Sequence, residues 1–225
     1  MTSSEEQREQ FNKTLLDWWK TNKRDFPWRH TRDPYTILIA ELLLRKTTAK
    51  QVSEVYPIFI KIYSSPDKLH RAETSDIKKM IATLGIEHKR AELFKKFGTY
   101  IVTEVKGKIP YSKDQLLRIP GVGEYAANAV LSFSCGEDVP TVDTNFIRLI
   151  ERFFGIKSEK KRARTDRKIW DFAQQLVPTG RSRDFNLAVL DFCAVVCTAR
   201  KPHHSECPLS KLCDYYIEKR ASRID

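Results

Sequence analysis

Three groups of residues in this chain have the types and spacing to do chemistry: a cysteine loop, a pair of acids and a hairpin. Cys197, His204, Cys207 and Cys213 follow the pattern C-x6-H-x2-C-x5-C. Four soft or borderline donors in one short loop are a metal-site spacing, and a loop this rich in Pro, Lys and Cys has little apolar matter to hold it otherwise. Asp143 stands where a helix N-cap belongs, ahead of the stripe Phe146, Leu149, Ile150, Phe153 and Phe154. Capping alone explains an aspartate there, but an acid in that place is also held rigidly and kept charged by the helix dipole. Glu41 is the one acid in an otherwise apolar stretch from about Pro34 to Leu44. A buried carboxylate is costly unless paired or used, so Glu41 either pairs with Arg45 at the rim or does work.

The third group is the hairpin. Asp114 to Arg118 form a short amphipathic turn that Pro120 stops. Gly121, Val122 and Gly123 follow, and small apolar residues from Glu124 on suit a closely packed second helix. Both glycines permit positive φ and leave the backbone bare. Free N–H groups at the positive end of that helix make an anion site suited to a DNA phosphate. An ordinary interhelix turn has the same form. Arg45-Lys46-Thr47-Thr48 places two cations before two hydroxyls, a set that suits phosphate or base edges and equally a solvated helix end.

The elements that must position these groups are helical. Phe11, Leu15, Trp18 and Trp19 stripe a first helix from about Ser4 to Thr21. Asp33-Pro34, Ser65-Pro66 and Thr74-Ser75-Asp76 read as helix starts, and Gly85 and Gly107 as helix ends. Arg24-Asp25-Phe26-Pro27-Trp28-Arg29 is an irregular loop, a structural plug or a contact segment. The run from Lys157 to Lys168 is basic and reads first as a solvated face. A last apolar helix runs through Leu187, Leu190 and Val195. No stretch alternates with period two long enough for a sheet, so the fold class is all-α with short connections.

Composition agrees with that organisation. Lys and Arg number 40 against 29 Asp and Glu, a formal net charge of +11, which points to a polyanionic partner. The start of the chain is polar and acidic, unlike a secretory leader. The longest apolar run is broken by Glu41 and too short to cross a bilayer. Five cysteines crowded toward one end indicate reduced thiols and metal rather than disulfides. The chain is therefore expected inside the cell, in the cytoplasm or on the nucleoid.

Together these pieces resemble the helix–hairpin–helix DNA glycosylase superfamily, the group of endonuclease III and the adenine-DNA glycosylases, over nearly the whole chain. Ile119 to Gly123 match its hairpin, and Asp143 its catalytic aspartate. Several strings look most like the mismatch-specific thymine-DNA glycosylases of archaeal type. They are Arg24 to His30, Leu44 to Ala49, Gly123-Glu124-Tyr125, Val142 to Phe146 and Arg183 to Leu187. The adenine glycosylases carry Gln-Gln-Thr where this chain has Arg45-Lys46-Thr47, and usually add a C-terminal domain that this sequence does not show.

The resemblance implies two helical domains flanking a DNA cleft. A six-helix barrel with the hairpin spans residues 25–136. Residues 1–24 plus 137–225, with the cluster loop 197–213, form the second domain. It implies a monomer acting on double-stranded DNA with a mismatched or damaged base, and no membrane. The implied activity is hydrolysis of the N-glycosidic bond of thymine or uracil opposite guanine. Adenine opposite guanine or 8-oxoguanine, or another deaminated base, is the rival substrate. A non-catalytic damaged-DNA-binding module is the rival class. Asp143 would stabilise the oxocarbenium-like sugar, and Glu41 would lie in the base pocket. Tyr125 stands where the bifunctional relatives have a Schiff-base lysine, and a phenol forms no imine. Gly121, Val122, Gly123, Arg45, Lys46, Thr47, Arg200 and Lys201 would meet DNA. The family's cluster members have C-x6-C-x2-C-x5-C around a 4Fe–4S cluster, so His204 departs from the pattern. That leaves a Cys3His cluster, a zinc site, or another fourth ligand such as His203.

Overall fold

The computed structural model describes residues 5–221. In chain order the helices are α1 (Glu5–Asn22), α2 (Pro34–Leu43), α3 (Ala49–Ile62), α4 (Pro66–Arg71), α5 (Thr74–Met80), α6 (Glu87–Thr103), α7 (Lys113–Leu116), α8 (Glu124–Val130), α9 (Thr144–Phe154), α10 (Arg167–Leu176), α11 (Ser182–Val195) and α12 (Asp214–Ala221). Among the described residues there is no strand. Ser4, the expected first residue of α1, lies outside them. The chain divides into two compact units, one from Asp25 to Cys135, the other taking α1 through Arg24 together with the described residues from Gly136 on.

In the first of these, α2 is the central element. Asp33 caps it by accepting from the Thr36 amide at 2.9 Å, and Pro34 occupies its first turn. Tyr35, Ile37, Leu38, Ile39, Ala40, Leu42 and Leu43 are all buried, so nearly every face is covered. Each of the leucines and isoleucines contributes about 1.5–3 kcal/mol on burial. Thr48 and Gln51 close a reciprocal capping box at the start of α3. The aromatic loop plugs this unit. Phe26 and Trp28 stack with centroids 4.8 Å apart, and Trp28 meets Tyr56 of α3 edge-on at 5.7 Å.

In the other unit the core is aromatic. Phe11 of α1 packs on Phe153 and Phe154 of α9 at 5.0 and 5.1 Å and on Phe185 of α11 at 6.5 Å. A buried acid pins α1 to α11. Asp191 accepts from Trp19 Nε1 at 2.8 Å and from Arg24 Nε at 2.6 Å.

Several local expectations need correction. Gly123 is extended rather than left-handed (φ −104°, ψ −177°), because it is the N-cap of α8, and N-caps take β-region dihedrals. Only Gly121 of the pair has positive φ, +85°. The start of α5 carries no side-chain cap. Val195 is 40% exposed and does not belong to the α11 core. The basic run does not stay a featureless surface, since α10 starts inside it, capped by Asp166.

Candidate active site

The hairpin is built as the spacing predicts. Leu116 and Ile119 are buried, and the Val122 amide donates back to the Ile119 carbonyl at 2.9 Å. Val122 is itself buried. Its N–H is spent inside the turn, so it shapes the hairpin from within instead of offering a donor to DNA. Gly121 is required twice over. Its φ is positive, and a Cβ there would stand 2.9 Å from Leu93 Cδ1 and 3.1 Å from Leu42 Cδ2. At Gly123 a Cβ would meet nothing within 4 Å, so open space surrounds that part of the backbone. Tyr125 lies in the first turn of α8 and is partly exposed.

The 45–47 segment is tied to this hairpin. Arg45 Nη2 donates to the Gly121 carbonyl. Burial lowers the Arg45 pKa and the charge of Glu41 raises it, so Glu41 and Arg45 feel one another. Glu41 is half-buried on α2. Lys46 has φ +52° and is exposed at the tip. Thr47 Oγ1 donates to Gln51 Oε1 at 3.2 Å, joining the cap of α3.

One residue behind this segment has no signal in the sequence. Arg90 is 2% exposed. Its guanidinium donates to the carbonyls of Leu42 (2.6 Å), Leu43 (2.9 Å), Arg45 (2.7 Å) and Leu84 (3.4 Å). It caps the C-terminus of α2, satisfying carbonyls a helix end leaves open, and so fixes where Arg45 to Thr47 emerge.

Asp143 caps α9 as its position predicts. Oδ1 accepts from the amides of Asn145 (2.9 Å) and Phe146 (2.8 Å), and Oδ2 from Asn145 Nδ2 at 2.6 Å. Asn145 Oδ1 in turn accepts from Arg148 Nη1 at 3.0 Å. Arg148 Nη2 reaches the carbonyls of Cys197 (2.9 Å) and Cys193 (3.2 Å). One turn on, Arg152 donates to Thr198 O at 2.7 Å and Ala199 O at 2.8 Å. The helix that holds the carboxylate thus also holds the cysteine loop. Asn145, Arg148 and Arg152 escape a reading of the sequence because their spacing marks only the polar side of an amphipathic helix.

Cys197, His204, Cys207 and Cys213 line one open cavity together with Leu149, Phe153 and Leu209. Burial first, then the charges of Cys213 and Cys197, push the Cys207 thiol up to about 11. Burial raises Cys213 as well. Three thiolates here need positive charge among them. Among the described residues no three His, Cys, Asp or Glu side chains converge closely enough to hold a single metal ion. Three cysteine sulfurs and an imidazole around one cavity are a donor set that suits an iron–sulfur cluster. Arg200, Lys201 and Lys211 stand exposed around this loop.

A family model described as HhH-GPD superfamily base excision DNA repair protein matches residues 39–175. This chain belongs to that superfamily. The iron–sulfur binding domain of endonuclease III matches residues 197–213, so the cofactor of the HhH-GPD protein's cysteine loop is a 4Fe–4S cluster, and the zinc reading gives way to it. A thymine/uracil-DNA glycosylase of Pyrobaculum aerophilum is 46% identical over 213 residues, 93% of each chain. A thymine-DNA glycosylase of Aeropyrum pernix is 43% identical over 92% of this chain and 95% of its own. A solved structure of a thermostable thymine-DNA glycosylase superposes with a TM-score of 0.90 at 41% identity, covering 95% of this chain and 98% of that one. The superfamily's hairpin and 45–47 segment lie in one unit of this chain, Asp143 and the cysteine loop in the other. Among the described residues no helix is long and apolar enough to cross a membrane.

Proposed function

We propose that this HhH-GPD protein is a monofunctional DNA glycosylase, acting as a monomer, that removes thymine or uracil mispaired with guanine and leaves an abasic site. The observation that carries the reading is the Asp143 carboxylate, fixed by three donors at the start of α9. Breaking an N-glycosidic bond builds positive charge on the sugar before water arrives. A carboxylate already oriented stabilises that state without reorganising. The substrate base follows the names of the relatives at 41–46% identity over most of both chains.

The remaining roles follow from chemistry. The base must leave the stack first, and a mispaired thymine or uracil costs least to extract. Gly121, Gly123, Arg45, Lys46 and Thr47 grip the backbone and the strand near the lesion, while Arg200 and Lys201 add phosphate contacts beside the cluster. The cluster's part is structural, organising the loop that presents those cations. Glu41 hydrogen-bonds the base edge or positions water. Tyr125 carries a phenol, which cannot form an imine with the opened sugar, and no lysine lies between Gly121 and Asp143.

The test is base release from duplexes holding T:G, U:G, A:G, A:8-oxoguanine or a hypoxanthine pair, each with and without alkali. Strand breaks at T:G and U:G only after alkali support the proposal. Adenine release moves the activity to the adenine branch, and breaks without alkali remove the monofunctional assignment. Release from none of the duplexes, with binding intact, favours a damaged-DNA-binding module.

A further inference from the structure

We infer that His204 is the fourth ligand of the cluster, binding one iron through an imidazole nitrogen. The inference rests on the loop's holding a 4Fe–4S cluster and concerns what this chain does where its superfamily has a fourth cysteine. Two adjacent histidines compete for the place, and the geometry separates them. His204 lines the cavity together with Cys197, Cys207 and Cys213. His203 does not line it. Its side chain is exposed, with Nδ1 3.9 Å from Glu206 Oε2, and its amide donates to Val196 O at 2.9 Å.

The His204 ring also has a seat. It lies nearly parallel to Tyr216, centroids 4.7 Å apart at 25°, and to Tyr215 at 6.0 Å and 26°. Both tyrosines stand in the first turn of α12, which starts directly after Cys213. Tyr215 is held in turn by the Arg152 guanidinium, 5.0 Å from its ring. A thiol side chain would give up this stacking on the tyrosine rings, which an imidazole makes. The last cysteine and the two tyrosines are thus one continuous piece of chain, and Arg152 braces Tyr215 in it.

The substitution has an electronic consequence. Three thiolates and one neutral imidazole leave the cluster one charge less negative than four thiolates do. An added electron is then held more readily, so the reduction potential is more positive than that of an all-cysteine site, as imidazole ligation does in other iron–sulfur centres.

The experiment uses the intact holoprotein grown with 15N-labelled histidine. Iron, sulfide and zinc are counted first. The cluster is then taken to a paramagnetic state by one-electron reduction or oxidation and examined by pulsed electron–nuclear double resonance. The expected result is a full complement of iron and a strongly coupled histidine nitrogen. That coupling persists in His203→Ala and disappears in His204→Cys, which keeps its cluster and titrates at a more negative potential. An iron-loaded native protein with no coupled histidine nitrogen overturns the inference, as does coupling that vanishes in His203→Ala. Zinc in place of iron overturns the cluster itself, a different readout. Should His204→Cys not fold, the labelled native protein and His203→Ala still decide.

Discussion

Asn145 Nδ2 donates to Asp143 Oδ2 at 2.6 Å, while Asp143 Oδ1 takes the amides of Asn145 and Phe146. Both oxygens of one carboxylate are therefore held, one by the backbone and one by a side chain. If the carboxylate works by charge, Asp143→Asn removes the charge and keeps the backbone cap through Oδ1, since asparagine caps a helix about as well as aspartate, and gives up only the bond from Asn145 Nδ2. The expected outcome is a fall in kcat of about 10²–10³-fold, with melting temperature and affinity for mismatched duplex near those of the native protein. Single-turnover base release beside a DNA-binding titration checks it.

The same bond makes Asn145 and Arg148 positioning residues. Arg148 links Asn145 Oδ1 to the carbonyls of Cys193 and Cys197. Asn145→Ala frees Oδ2 without touching the backbone amides, and a loss of about 1.4 kcal/mol of transition-state stabilisation is tenfold in rate. The expectation is a lower kcat at unchanged KM. Arg148→Ala lowers kcat by the same route and also loosens the cysteine loop, so it lowers iron retention, which Asn145→Ala does not. An Asn145→Ala enzyme with native kcat removes Asn145 from this role.

Much of this is legible in the sequence alone. The cap at Asp143, the turn at Gly121 and the all-round burial of α2 are local signals, written within a few residues of where they act. What stays hidden is longer in range. Arg148 reads as one more charge on the polar side of α9, because its partners Cys193 and Cys197 lie far along the chain. Arg90 sits among the charges that open α6 and gives no sign that it is buried. Helix α10 is hard to see because Arg167 and Lys168 continue the basic run while Ile169, Trp170, Phe172, Ala173 and Leu176 turn inward. In α12 no residue is buried, so no apolar stripe marks it.

Tyr125→Lys places an amine at the first turn of α8. The expected outcome is strand cleavage at the lesion without alkali and a protein–DNA adduct trapped by borohydride, since only an amine condenses to an imine. Tyr125→Phe should yield neither. Denaturing gels of T:G duplex read both, and an absence of adduct in the lysine variant would detach Tyr125 from the sugar.

Arg90→Met keeps most of the side chain's volume but withdraws the donors that four carbonyls use. Hydrogen bonds to a charged group contribute about 1.5–3 kcal/mol each, and buried acceptors left open add a penalty. Allowing for water replacing some of them, the expected destabilisation is about 3–5 kcal/mol, seen as a lower denaturant midpoint at unchanged slope. DNA affinity should fall as well, because the exit of Arg45 to Thr47 from α2 is no longer fixed. Affinity preserved in a destabilised variant would confine Arg90 to stability.

Asp166 carries a pH signature of its own. It accepts from Ser158 Oγ at 2.7 Å, the Lys168 amide at 3.1 Å and the Glu159 amide at 3.2 Å. The Ser158 bond, with those two amides and the charge of Lys160, holds its carboxyl below the ordinary carboxylate value. A carboxylate whose folded pKa is depressed adds stability above its unfolded pKa and loses it as pH falls through the folded one. Asp166→Asn should therefore melt earlier than the native protein at neutral pH. The gap should narrow as the pH enters the carboxylate range and close below it. Calorimetric scans across that range on both proteins decide the matter. A gap that is constant with pH would mean that Asp166 acts only as a neutral cap for α10.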